Sequence, residues 1–267
     1  MRLRKIVAIL LLVSLALTAL TSCSSAEKLE AKAEKKLAKK PHVVYVDQEF
    51  TTADKSVAEV FRQLGEQEIK ILVDGHNFAV EDRLSIDYGE GSTEFVNIYV
   101  VIGDMIYSDM SYISPSGKNS TKGRSSLTEE DALTIKEKAS IIGGVDTDDF
   151  ADVTVEKQDG GRLIRCASVT ETSDVNVMLE KIMYSNLEGA AKSVGVSDVK
   201  LSLFIKNGRY ETVALECDYH VSFGELEFDI HADFTLSYDY DAHVDIAIPE
   251  NAGEYSDLEL DKILNML

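Results

Sequence analysis

The sequence predicts an α+β fold built on one large, curved antiparallel sheet with about three helices packed on it. Three observations predict it. Two long runs of strict apolar/polar alternation meet at Gly224, shorter alternating runs separated by turn residues precede them, and three stretches of helical periodicity interrupt the strands.

The runs around Gly224 are the strongest signal. From Leu226 to Tyr240 the even positions are Leu226, Phe228, Ile230, Ala232, Phe234, Leu236, Tyr238 and Tyr240, with polar residues between them. Before Gly224 the parity reverses, with Val213, Leu215, Cys217, Tyr219, Val221 and Phe223 apolar. A two-residue type II′ turn at Gly224-Glu225 would set Phe223 opposite Leu226, Val221 opposite Phe228, Tyr219 opposite Ile230 and Leu215 opposite Phe234. Strands of about 14 to 16 residues, against a usual 5 to 6, require a tall sheet that twists and curves.

Taken from its start, the chain opens with Arg2, Arg4 and Lys5, then an apolar run from Ile6 to Leu20, then Thr21-Ser22-Cys23. The run is shorter than the roughly 20 residues a spanning helix needs, which makes residues 1–22 a signal peptide. The pattern resembles the lipobox of bacterial lipoproteins. The resemblance implies cleavage before Cys23, diacylglycerol on its sulfur, and a lipid anchor holding the chain to the extracytoplasmic face of the cell membrane. Residues 23–41, rich in Lys and Glu with no apolar stripe wide enough to dock, read as a tether ending at Pro41. Residues 42–267 then form a single domain.

Within it, Val43 to Val46 reads as a short strand, and Asp54 precedes a helix carrying Val57, Val60, Phe61 and Leu64. Strands are expected near Glu68 to Phe78, Arg83 to Tyr88, Glu94 to Ile102 and Met105 to Ser111, with turns at Glu81-Asp82, Gly89-Glu90-Gly91 and Gly103-Asp104. Ser114 to Ser126, without apolar residues, reads as an exposed loop. Thr128 caps a second helix expected to reach Ile142. Two strands flank Asp159-Gly160-Gly161, and a third helix starts near Asp174 with Val175, Met178, Leu179, Ile182, Met183, Leu187, Ala190, Ala191 and Val194 on one face. Val199 to Ile205 joins the main hairpin through Asn207-Gly208. There a three-residue loop with a bulge would place Leu201 opposite Val213 and Val199 opposite Leu215. The end, from Tyr255, reads as a short acidic helix.

Charge narrows the function classes. Losing the signal's three cations takes the formal charge from −20 to −23, and beyond Pro41 there are 18 Lys plus Arg against 44 Asp plus Glu, a formal −26. Such a surface repels nucleic acid. Cys166 and Cys217 lie inside strand-like runs and read as buried thiols. No Gly-x-Ser-x-Gly, His-Glu-x-x-His or paired-cysteine motif occurs, so the sequence predicts neither an enzyme nor a cofactor. On the wet face of the hairpin the register puts His220 opposite Asp229 and Asp218 opposite His231. Those four residues are a weak metal candidate, set against two exposed His/Asp pairs that relieve acidic repulsion.

The helix-first, strand-rich order, the lipobox and the Ile246-Ala247-Ile248-Pro249-Glu250-Asn251-Ala252 tail resemble the LolA/LppX-type lipoprotein carriers and related envelope lipoproteins. That resemblance implies an open half-barrel whose concave face, capped by helices, takes a lipid or other apolar ligand. Leu215, Tyr219, Val221, Phe228, Ile230, Phe234 and Leu236 are the expected groove lining, with Met178 and Met183 on the helix that covers it. The other expectation is an envelope sensor or protein-interaction module with a packed core, contacting a protein partner through its acidic face or the 114–126 segment. A continuous apolar groove favours the first and a filled interior the second.

Overall fold

A computed structural model of the chain describes residues 26–63, 67–87, 92–132, 135, 145–187 and 191–264. The signal peptide and Cys23 lie outside these residues. Among the described residues twelve strands form one sheet in the order β12-β6-β5-β4-β3-β2-β1-β11-β10-β9-β8-β7. Their ranges are β1 His42–Thr51, β2 Gln67–Asp74, β3 Asn77–Asp87, β4 Ser92–Ile102, β5 Met105–Ser114, β6 Gly117–Ser126, β7 Phe150–Gln158, β8 Gly161–Val169, β9 Ser193–Lys206, β10 Arg209–Phe223, β11 Leu226–Asp239 and β12 Ser256–Asp257. All neighbours run antiparallel except β12 beside β6. β12 and β7 end the order without pairing, so the sheet is open. The first strand sits in its middle, where the chain's last long strand returns to it.

The helices are α1 (26–37), α2 (Lys55–Gln63), α3 (129–132 and 135), α4 (Val175–Asn186) and α5 (Leu260–Leu264). Residues from all five join one apolar cluster with the same sheet face: Ala26 and Ala33, Phe61, Ile135, Leu179 and Met183, Ile263. On the opposite face the segment after β11 lays Ala242, Val244 and Ile246 over Val43, Leu72 and Ala79. The middle of the sheet is therefore covered on both sides. Cys166 and Cys217 are buried free thiols on β8 and β10, with β9 between them.

The main hairpin has the predicted register, from Phe223 opposite Leu226 to Thr212 opposite Ser237. Gly224 holds φ at +62°, as the first turn position of a II′ turn requires. The next hairpin differs from expectation. Asn207 (φ +54°) and Gly208 (φ +69°) make a two-residue turn between Lys206 and Arg209, and the compensating bulge falls one step later, at Glu211. It places Leu203 opposite Val213 and Leu201 opposite Leu215, so the apolar parity is still restored. A second bulge, at Asp198 (φ +50°), separates the Lys200–Glu216 and Ser197–Asp218 pairs.

Four other expectations are corrected. The β2–β3 turn is Gly75-His76, and Glu81 and Asp82 pair within the strand with Lys70 and Ile69. Residues 117–126 are no loop but strand β6, turned at Pro115-Ser116 and paired to β5 along its whole length. The periodicity credited to the third helix overruns its end: α4 stops at Asn186, and Val194 belongs to β9 opposite Val221. Residues 26–37 do not hang free, because α1 buries Ala26 and Ala33 completely and packs Leu29 and Leu37 on the core. The predicted Gly89-Glu90-Gly91 turn and most of the stretch to Ile142 lie outside the described residues. The second helix does start on its predicted cap. Thr128 Oγ1 accepts the Asp131 N–H (3.1 Å) and Asp131 Oδ2 accepts the Thr128 N–H (2.9 Å).

Gly161, opening β8, tests how tightly this end of the sheet is built. A Cβ there would lie 2.7 Å from the Ile205 carbonyl oxygen and 2.8 Å from Phe204 Cε2. The carbonyl is fixed in the β8–β9 ladder and cannot give way. Gly161→Ala is expected to cost about 1–3 kcal/mol, read as a lower urea midpoint. Gly123→Ala, whose Cβ meets only the flexible end of Leu258, is expected to cost less.

Candidate functional site

Alternation on β10 and β11 puts one side chain in two on the helix-covered face, and the predicted groove residues meet there. Leu215 is fully buried, and Tyr219, Val221, Ile230, Phe234 and Leu236 are nearly so. Phe228 and Met178 are half-buried against the same cluster, and Met183 is buried in it. Phe50 of β1 packs edge-on against Phe234 at 5.7 Å and at 5.8 Å against Phe61 of α2. The residues thus converge as a filled apolar interior. Two shallow, open depressions lie elsewhere: about 350 Å³ around the Asp159-Gly160 turn, and about 400 Å³, more polar, between β6 and Glu254.

The cover is made of separate helices. α4 rests chiefly on β9, burying Val175, Leu179 and Met183 while Val177 and Tyr184 face outward. Ser173 begins it, its hydroxyl accepting the Val175 N–H at 3.1 Å. α1 lies across the far end, where Lys36 Nζ donates to the Asn207 carbonyl of the β9–β10 turn.

α1 also carries the most perturbed carboxyl. Glu30 is buried and accepts a hydrogen bond from Thr147 Oγ1, in the 3-10 turn Thr147–Asp149. Burial, reinforced by Asp146 and Glu34, pushes its carboxyl from 4.5 up to about 7. Carboxylate oxygens of Glu30, Glu34 and Asp146 lie within 4.8 Å of one another. Asp146 is itself raised by burial and by Asp149 and Asp148, and Tyr210, buried nearby on β10, is raised by burial and then by Glu30 and Glu34.

On the wet face the four residues weighed as a metal set form two separate pairs. His220 Nδ1 lies 2.6 Å from Asp229 Oδ1, and His231 Nδ1 lies 2.6 Å from Asp218 Oδ1. His231 Nε2 faces Asp233 at 3.4 Å on the other side of its ring. The hydrogen bond to Asp218, with Asp233 adding to it, raises the His231 pKa. Among the described residues these ligand atoms form no group of three within 4.8 Å of one another. Ser197 was not singled out from sequence. Its Oγ lies 2.8 Å from His220 Nε2, and only the pairing of β9 with β10, set by the Asp198 bulge, brings it there.

No family model matches the chain, and no curated protein matches it. Among solved structures it is compared with a monomeric dehydratase domain from a trans-AT polyketide synthase split module, at 7% identity and a TM-score of 0.14 over 73% of this chain and 81% of that one. A dehydratase domain from the CurJ module of curacin polyketide synthase gives 8% identity and a TM-score of 0.12 over 82% of each chain. Likeness at that level carries no argument.

Proposed function

We propose that this chain is a lipid-anchored extracytoplasmic protein that takes a lipid or other apolar ligand against its helix-covered sheet face, between β10, β11 and α4. One observation carries the reading. Among the described residues a single open sheet presents an apolar face that short helices from separate parts of the chain cover, with no second sheet over it. Such a cover can lift piecewise. With no ligand present, an apolar groove in water gains about 25 cal/mol per Å2 by closing on itself, so a filled interior is the expected resting form of a binder whose lid moves. Bulges are sites where a strand can bend, and the two on β9 and β10 stand where the half-barrel reading needs curvature. Met178 and Met183 give the lid a face that can repack around different shapes.

The filled interior favours a second reading, in which the core is permanent and the domain contacts an envelope protein through its acidic surface. The full chain in vesicles containing a diazirine-bearing acyl lipid separates the two. Photo-crosslinks mapping to peptides with Met183, Phe234 or Leu236 are expected of a binder, and their loss on Phe234→Asp locates the groove. Crosslinks restricted to the N-terminal peptide would leave the interaction module.

A further inference from the structure

We infer that Ser197 is an activated nucleophile, and that Ser197, His220 and Asp229 form an acyl-transfer site for small activated esters on the exposed face of the sheet. The three residues come from adjacent strands β9, β10 and β11. Their hydrogen bonds run in the order that nucleophilic catalysis needs: Ser197 Oγ to His220 Nε2 at 2.8 Å, and His220 Nδ1 to Asp229 Oδ1 at 2.6 Å. A carboxylate on Nδ1 keeps the proton on that nitrogen, which leaves the Nε2 lone pair facing the serine hydroxyl. His231, in the next row, is held by Asp218 and Asp233 and does not compete for Ser197 or Asp229.

Two backbone features shape the surroundings of the half-buried serine and the histidine ring. The bulge at Asp198 follows it directly, a device that re-aims a strand side chain. Gly195, opposite His220, puts no side chain beside the ring: a Cβ there would meet only His220 Cβ, at 3.9 Å. The site is shallow and open, with side-chain exposures of 54% for His220 and 80% for Asp229. Without a surrounding pocket it has little to stabilise a poor leaving group, and this sets the substrate class as phenyl or thiol esters of short acids. Ser197 Oγ attacks the carbonyl carbon while its proton passes to His220 Nε2, and the phenolate or thiolate leaves and takes up that proton. Water, deprotonated by the same nitrogen, then releases the acid and restores the serine.

The test is independent of the apolar-ligand reading. The full chain is treated with a fluorophosphonate, whose phosphorus bonds to an activated serine with loss of fluoride, and labelled peptides are mapped. p-Nitrophenyl acetate turnover is followed in parallel. General-base activation contributes about 10²–10⁴-fold. Label on Ser197 is therefore expected to fall at least about 100-fold in His220→Ala, to vanish in Ser197→Ala, to weaken in Asp229→Asn, and to persist in His231→Gln. No label on Ser197, or label and turnover that survive His220→Ala, would overturn the assignment and leave a surface hydrogen-bonded cluster.

Discussion

Leu215→Ala is expected to lower the unfolding free energy of the chain by about 2–5 kcal/mol, the range for deleting a fully buried leucine side chain. Leu215 has no exposed surface and stands mid-sheet, opposite Phe234 on one side and Leu201 on the other. Ladder bonds fix its neighbours, so the cavity cannot collapse by sliding a strand. Urea unfolding followed by circular dichroism reads the loss as a lower midpoint. Leu226, 69% exposed at the hairpin tip, provides the contrast: Leu226→Ala is expected to stay within about 0.5 kcal/mol. Equal midpoints for the two variants would mean that the β10–β11 face is not the core.

The second large effect is expected at Glu30. Its carboxyl is raised from 4.5 to about 7 in the folded chain, so docked α1 holds a proton that the released helix gives up. Docking is fully favoured below about pH 4.5, weakens as pH rises toward 7, and stays at its weaker value above that. A shift of this size corresponds to on the order of 3 kcal/mol. Glu30→Gln keeps an acceptor for Thr147 and removes the charge. In the variant, amide exchange over residues 26–37 is expected to be nearly flat from pH 5 to 8 once corrected for intrinsic exchange. In the parent protein, protection should fall over that window. Parallel profiles would show that another group governs how α1 sits.

Much of the sheet was legible because its signals are local. Strict alternation on both sides of Gly224 specifies the β10–β11 register, since a one-residue slip would turn Leu215 and Phe234 to water. Residues 117–126 were illegible for the opposite reason. β6 carries no apolar residue between Gly117 and Ser126, so its pairing comes from the β5 backbone and from Arg124, which bonds Asp257 at 2.7 Å. Docking of α1 was hidden because its contact stripe is narrow. Its fully buried residues are two alanines, Ala26 and Ala33, and not large side chains. The groove residues were legible as a set, since parity alone gathers them. Whether they line a space or fill one depends on how α4 sits, which no periodicity encodes. Ser197 was missed because its meeting with His220 depends on a bulge at a non-glycine residue, Asp198, and nothing in the sequence marks it.

The docked α1 also bears on mooring. A free helical stalk from Cys23 would stand the domain about 22 Å off a bilayer. With helix 26–37 folded back on the core, an anchored Cys23 is joined to the body by only a few residues, a leash of roughly 10 Å at full extension. Counted with the docked helix the body carries a formal charge of −23, and if it were anchored that close to anionic headgroups it would be pushed away from them while being unable to leave. Its orientation at the surface would then be set by where that leash attaches, at the Ala26 end of α1 and not at the end whose Lys36 reaches the Asn207 carbonyl, and would loosen as salt screens the repulsion.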